Sequence, residues 1–194
     1  MWNQGTYFCG VFRGGEVDIG PIISPSAACE GWAERWTGHL DDFDPDIVVV
    51  LSTVWDTVPR RLPGWDEFRD LDDLVYADHV RSDYRAAIQL LSSRGAEVVW
   101  LTPPCHGGHA DSDVRLTKLR TGFTVPLVRA RSDVARLVDL AELLCPGGVF
   151  QETLGDVAMA RPDGLHFSDP GADWAAARIG PLVVEGWPDP DAAP

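Results

Sequence analysis

Two short stretches of the chain are almost wholly apolar: Ile47-Val48-Val49-Val50-Leu51 and Val98-Val99-Trp100-Leu101. A third, Arg136-Leu137-Val138-Asp139-Leu140, is shorter on apolar residues but similar in kind. Each is too brief for an ordinary helix and reads as a strand. The first lacks alternation, which predicts a strand covered on both faces. Between the strands, apolar residues recur at helical spacing. Trp32, Trp36 and Leu40 form one stripe, predicting a helix capped by Ser26 and running to about residue 40. Val80, Tyr84, Ala87, Ile88 and Leu91 mark an amphipathic helix over about 71–94, closed by Gly95. A polar, helix-compatible stretch covers about 113–131. Ser168-Asp169-Pro170-Gly171 opens a last helix to about Ile179, with proline in its first turn.

Turn chemistry fills the rest. Five glycines, Pro21 and Pro25 make residues 1–25 irregular. Asp44-Pro45-Asp46 ends the first helix. Residues 56–70 read as a loop, 105–112 as a Gly/His loop, and Cys145-Pro146-Gly147-Gly148 as a turn. There is no internal repeat and no linker, so residues 1–186 are expected to form one domain with a frayed tail over 187–194. Strands alternating with helices predict an α/β fold whose parallel sheet lies between helix layers. In such sheets reactive groups collect beyond the carboxyl ends of the strands. The segments following Leu51, Leu101 and Leu140 are therefore the places to search.

Composition narrows the function. With 16 basic and 30 acidic residues the formal charge is -14, which disfavours nucleic acid and anionic lipid as partners. No apolar run approaches the roughly 18 residues of a membrane span, so direct membrane insertion is not expected. The first residues, Met1-Trp2-Asn3-Gln4-Gly5, lack the basic start and apolar stretch of an export signal. Eight tryptophans suit an aromatic core better than a sugar-stacking surface. Cys9, Cys29, Cys105 and Cys145 contain no C-x-x-C pair, and composition leaves two disulfides or four thiols open. Cys105 and Cys145 follow successive strands, so they are expected to pair, leaving Cys9 with Cys29.

The sharpest chemical signal is Arg161-Pro162-Asp163-Gly164-Leu165-His166-Phe167-Ser168. A carboxylate three residues before an imidazole, in a loop entering a helix, can accept from Nδ1–H and leave Nε2 free to take a proton from a hydroxyl. The loop Cys105-His106-Gly107-Gly108-His109-Ala110-Asp111 carries zinc-competent ligands, but they crowd one Gly-rich loop with no second cluster. It is taken as a pocket loop, with no metal.

The Asp163-Gly-Leu-His166-Phe-Ser-Asp-Pro-Gly171-Ala run resembles the last block of SGNH (GDSL-like) hydrolases. The likeness extends through Cys9-Gly10-Val-Phe-Arg13-Gly14-Gly15, the Cys29/Trp32/Trp36 helix, Asp46-Ile-Val-Val-Val-Leu-Ser-Thr-Val-Trp55-Asp56 and Leu144-Cys145-Pro146-Gly147-Gly148. It is nearest to SGNH domains fused to acyltransferase-3 membrane proteins. The resemblance implies a three-layer α/β/α sandwich with a parallel, flavodoxin-like sheet. It implies a serine esterase or O-acyltransferase acting on an acylated carbohydrate or small ester, with His166 and Asp163 catalytic and Gly10 and Trp55 at the oxyanion pocket. It implies no cofactor, a membrane acyltransferase as partner, and a place outside the membrane.

The departures are equally specific. The Gly-Asp-Ser block that carries the family's nucleophile is absent upstream of Asn3. Ser24, Ser26, Ser52 and Ser112 are the substitutes to consider, and only Ser52 stands at a strand's carboxyl end. Phe8 occupies a position where glycine is commoner, and Thr53-Val54-Trp55 replaces Gly-x-Asn. If the first one or two strands are lacking, the Ile47–Leu51 strand exposes a bare apolar edge. A shortened chain is the expected explanation, with a compact pseudoenzyme that binds glycan or protein as the alternative. A nucleotide binder is disfavoured, because no Gly-x-Gly-x-x-Gly follows a strand. Arg13, Arg60 and Arg61 flank the expected site, either as anion ligands or as surface charges.

Overall fold

The computed structural model describes residues 2–25, 27–108 and 110–186. Its strands are β1 (Glu16–Asp18), β2 (Ile22–Ile23), β3 (Ile47–Leu51), β4 (Arg60–Arg61), β5 (Glu97–Leu101) and β6 (Ala135–Val138). Its helices are α1 (Ala27–Glu30), α2 (Trp32–Phe43), α3 (Leu74–Leu91), α4 (Ala110–Leu119), α5 (Val125–Arg129), α6 (Leu140–Leu144) and α7 (Asp169–Val183). The fold is mixed α/β. A parallel sheet has the order β3-β5-β6, and a small antiparallel sheet has the order β2-β1-β4.

The predicted helices form with revised ends. The first is two pieces interrupted at Gly31, and its proposed cap, Ser26, lies outside the described residues, as does the tail 187–194. α3 starts at Leu74 because the Asp73 side chain accepts from the Tyr76 backbone N–H at 2.9 Å. The third strand stops at Val138 rather than Leu140: Asp139 accepts from the Glu142 N–H and caps α6, so Leu140 is helical. The 113–131 stretch is α4 and α5 joined through a π-helical turn at Arg120–Thr124. Residues 1–25 and 56–70 are less irregular than expected, since Glu16 and Val17 pair with Arg61 and Arg60.

Each face of the parallel sheet has its own core. On one, Val50, Val98 and Trp100 pack with Trp32, Tyr76, Val80, Tyr84 and Ile88. On the other, Val99, Leu101 and Val138 pack with Leu140, Leu144, Leu154 and Ala160, joined by Trp174, Ile179 and Val183 of α7. Trp32 and Trp100 are buried, Trp36 and Trp65 pack against the first core and Trp174 against the second, so five of the eight tryptophans serve the cores.

The expectation that β3 is covered on both faces is corrected. Val49 and Leu51 are 47% and 44% exposed, whereas their register partners Val99 and Leu101 are 0% and 7% exposed. Ile47, at the start of β3, alone among its residues packs into the second core. Among the described residues β3 also pairs on one side only, with β5. The bare apolar edge expected from the sequence is therefore present.

Candidate active site

The strands deliver three segments to one end of the parallel sheet: Ser52–Asp56 after β3, Thr102–Gly108 after β5 and Asp139 after β6. The Asp163–His166 loop joins this end by a direct backbone contact. The Gly107 N–H donates to the Gly164 carbonyl at 2.9 Å. Gly164 has φ +79°, and a Cβ there would fall 2.3 Å from the Gly107 carbonyl oxygen. Only glycine permits this approach.

Within the loop, Gly164 N–H donates back to the Arg161 carbonyl at 3.0 Å, closing a β-turn with proline at its second position and Asp163 at its third. Asp163 Oδ1 accepts from the backbone N–H groups of Leu165 (2.9 Å) and His166 (2.7 Å), and Oδ2 lies 2.7 Å from His166 Nδ1. The bond to His166 and the two backbone donors hold the carboxyl well below the usual carboxylate range. An ionised carboxylate only accepts, so Nδ1 carries the proton, and in the neutral imidazole Nε2 presents a lone pair. The His166 and Asp163 side chains are 77% and 53% exposed, and no described group hydrogen-bonds Nε2. Ser168 then caps α7, its hydroxyl accepting from the Gly171 N–H at 3.3 Å, with Pro170 following.

Gly10 and Trp55 are brought together by a residue that the sequence did not single out. Asp56 is fully buried and accepts from the backbone N–H groups of Phe12 (2.9 Å) and Thr53 (3.1 Å). A Cβ on Gly10 would lie 2.5 Å from Asp56 Oδ1, so the glycine is needed for this approach. Burial pushes the Asp56 carboxyl up despite its backbone donors and nearby Arg60. Trp55 stands beside Phe8, their ring centroids 5.5 Å apart and edge to face. Phe8 has φ +60°, the left-handed backbone that glycine adopts freely. Among the described residues, no hydrogen bond or ring contact links this Gly10/Trp55 group to His166.

Ser52 is unsuited to attack. It is fully buried, its hydroxyl accepts from Trp100 Nε1–H at 2.6 Å, and Thr124 Oγ1 lies 3.4 Å away. Ser112 sits on α4, accepting from Arg115, and Ser24 is exposed beyond β2. Neither bonds His166. The three arginines are occupied. Arg13 is paired with Asp83 and lies over Trp32, and Arg61 is paired with Glu16. Arg60 is buried and donates to the Gly14 and Trp55 carbonyls at 3.0 and 3.1 Å, so it is no surface charge.

Both expected cysteine pairs form: Cys9 with Cys29 and Cys105 with Cys145. Cys105 is thereby spent as a metal ligand. His109 lies outside the described residues. Among those described, no three His, Cys, Asp or Glu side chains converge to hold a metal, and no helix is long and apolar enough to cross a membrane. No protein-family model matches the chain, and no curated protein matches it.

Proposed function

We propose that this domain performs acyl-ester chemistry of the SGNH type, hydrolysis or O-acyl transfer on an acylated carbohydrate. The observation that carries this reading is the Asp163–His166 pair, 2.7 Å apart at Nδ1, with Nε2 open to solvent at the end of the sheet where reactive groups gather. The separate cores on the two faces of the parallel sheet support a three-layer α/β/α sandwich.

In this reading a serine hydroxyl attacks the acyl carbon while its proton passes to His166 Nε2. The resulting imidazolium is stabilised by Asp163 and returns the proton to the departing alcohol, leaving an acyl-serine. Water or an acceptor sugar hydroxyl then attacks the acyl-serine, again losing its proton to Nε2; the acyl–serine bond breaks, the imidazolium returns the proton to the serine oxygen, and the acid or new ester is released. The Trp55 indole N–H and backbone N–H groups near Gly10 are candidates for stabilising the oxyanion. The nucleophile is supplied by a strand that pairs with β3, a role supported by the open edge and bare Val49 and Leu51. A membrane acyltransferase would deliver the acyl donor.

A second reading, a glycan- or protein-binding module without turnover, is favoured by one observation. Ser52 is sealed and no described hydroxyl reaches Nε2. Loss of a triad nucleophile lowers turnover by about a millionfold. The experiment is p-nitrophenyl acetate hydrolysis by this chain, and by the same chain carrying any in-frame strand encoded upstream that ends in Gly-Asp-Ser. Hydrolysis lost in His166→Ala supports the esterase. Equal rates with and without His166 in every form leave the binding module.

A further inference from the structure

We propose that Arg161 is the positioning residue of the Asp163–His166 pair, acting through the Gly164–Leu165 peptide and anchored on the loop that Cys105 begins. This inference deepens the acyl-transfer reading above and rests on it for its catalytic meaning, though not for its geometry.

Arg161 is 1% exposed, the most deeply buried arginine among the described residues, and makes no ion pair there. The Asp113 and Asp163 carboxylates act on it only through space, and burying a cation without a directly paired carboxylate is unfavourable unless hydrogen bonds replace its water. Its bonds all go to the site's scaffold. Nη2 donates to the Cys105 carbonyl and, at 3.1 Å, to the Gly164 carbonyl. Nη1 lies 3.8 and 3.9 Å from the Cys145 and Cys105 sulfurs, and Nε has no partner. The guanidinium lies 4.9 Å from the Phe150 ring centroid and 5.8 Å from that of Phe167, the residue after His166. These rings and the bridge keep water away from it.

The consequence for His166 follows from the planarity of one peptide. The Gly164 carbonyl accepts from both Arg161 Nη2 and the Gly107 N–H. In a trans peptide the following N–H points the opposite way. That N–H belongs to Leu165, and it donates to Asp163 Oδ1. Fixing the Gly164 oxygen therefore aims the Leu165 N–H at the carboxylate, which in turn presents Oδ2 to His166 Nδ1. The arginine never touches the imidazole. It fixes the plane from which the carboxylate is held.

The test reads the imidazole directly, so its result is independent of turnover. Long-range nitrogen–proton NMR at alkaline pH gives the ratio of the Nδ1–H to the Nε2–H form of neutral His166. The full chain is expected to show mainly Nδ1–H. In Arg161→Lys and Arg161→Met the ratio is expected to fall by about fivefold or more, the factor for one hydrogen bond of ordinary strength, with lysine retaining more than methionine. Near-UV circular dichroism establishes that each variant is folded, and the lysine variant decides the matter if methionine does not fold. An unchanged ratio in a folded variant overturns the proposal. Ester hydrolysis on the same samples separates the two ideas. A ratio that falls in a chain without His166-dependent hydrolysis sinks the esterase and leaves the positioning role. An unchanged ratio beside His166-dependent hydrolysis does the reverse.

Discussion

The Phe12 backbone N–H donates to Asp56 Oδ1 at 2.9 Å, tying the Gly10 loop to the turn that carries Trp55. Because Asp56 is buried, this is the joint on which both oxyanion candidates depend. Asp56→Ala would leave the Phe12 and Thr53 N–H groups unpaired, each costing about 1–3 kcal/mol. Urea unfolding should show a loss of that order.

Asp56 also predicts a pH dependence. Its folded-state value is raised above the ordinary one, so its favourable contribution is complete below the unfolded value of 3.8 and is lost as pH rises through the folded value. Asp56→Asn should flatten that part of the stability profile. An unchanged slope above pH 4 in the variant would place the origin elsewhere.

Asp163 behaves oppositely. Its folded-state value is depressed, so the carboxylate form and its three hydrogen bonds persist well below the unfolded value and are lost only as pH falls through the lowered one. Carbon-13 shifts of the side-chain carboxyl at pH 3, below the ordinary aspartate value of 3.8, should report Asp163 still ionised. His166→Ala should move its midpoint upward.

The β3 edge gives a paired prediction. Val49→Lys should leave stability nearly unchanged and reduce self-association measured by light scattering, because the side chain is half exposed on a strand that, among the described residues, has one open edge. Val99→Ala, at the same register on β5, should cost about 2 kcal/mol by emptying the second core.

Reduction provides the fifth test. Intact mass should rise by four hydrogens on full reduction. The bridges close separations of 20 and 40 residues, which chain entropy translates into about 3 and about 4 kcal/mol respectively. Cys105→Ala with Cys145→Ala should therefore lower the midpoint more than loss of the Cys9–Cys29 bridge.

Local order could be read along the chain because it depends on neighbours in sequence. The apolar runs at 47–51 and 98–101 become strands, the Tyr84/Ile88/Leu91 stripe faces a core, and Asp163 reaches His166 across three residues of one turn. What no local pattern carried was which distant groups meet. Arg161 differs from any surface arginine only because Cys105, Gly164 and Phe150 surround it. Ser52 stands where a nucleophile would, yet Trp100 from the neighbouring strand seals it. Asp56 reads as a turn residue until Phe12 arrives from 44 positions upstream. Periodicity determined the elements and the Asp163–His166 pair, since hydrogen bonding and burial repeat over a few residues. Burial, charge pairing and access were decided by the tertiary structure, because each depends on packing between segments far apart in the chain.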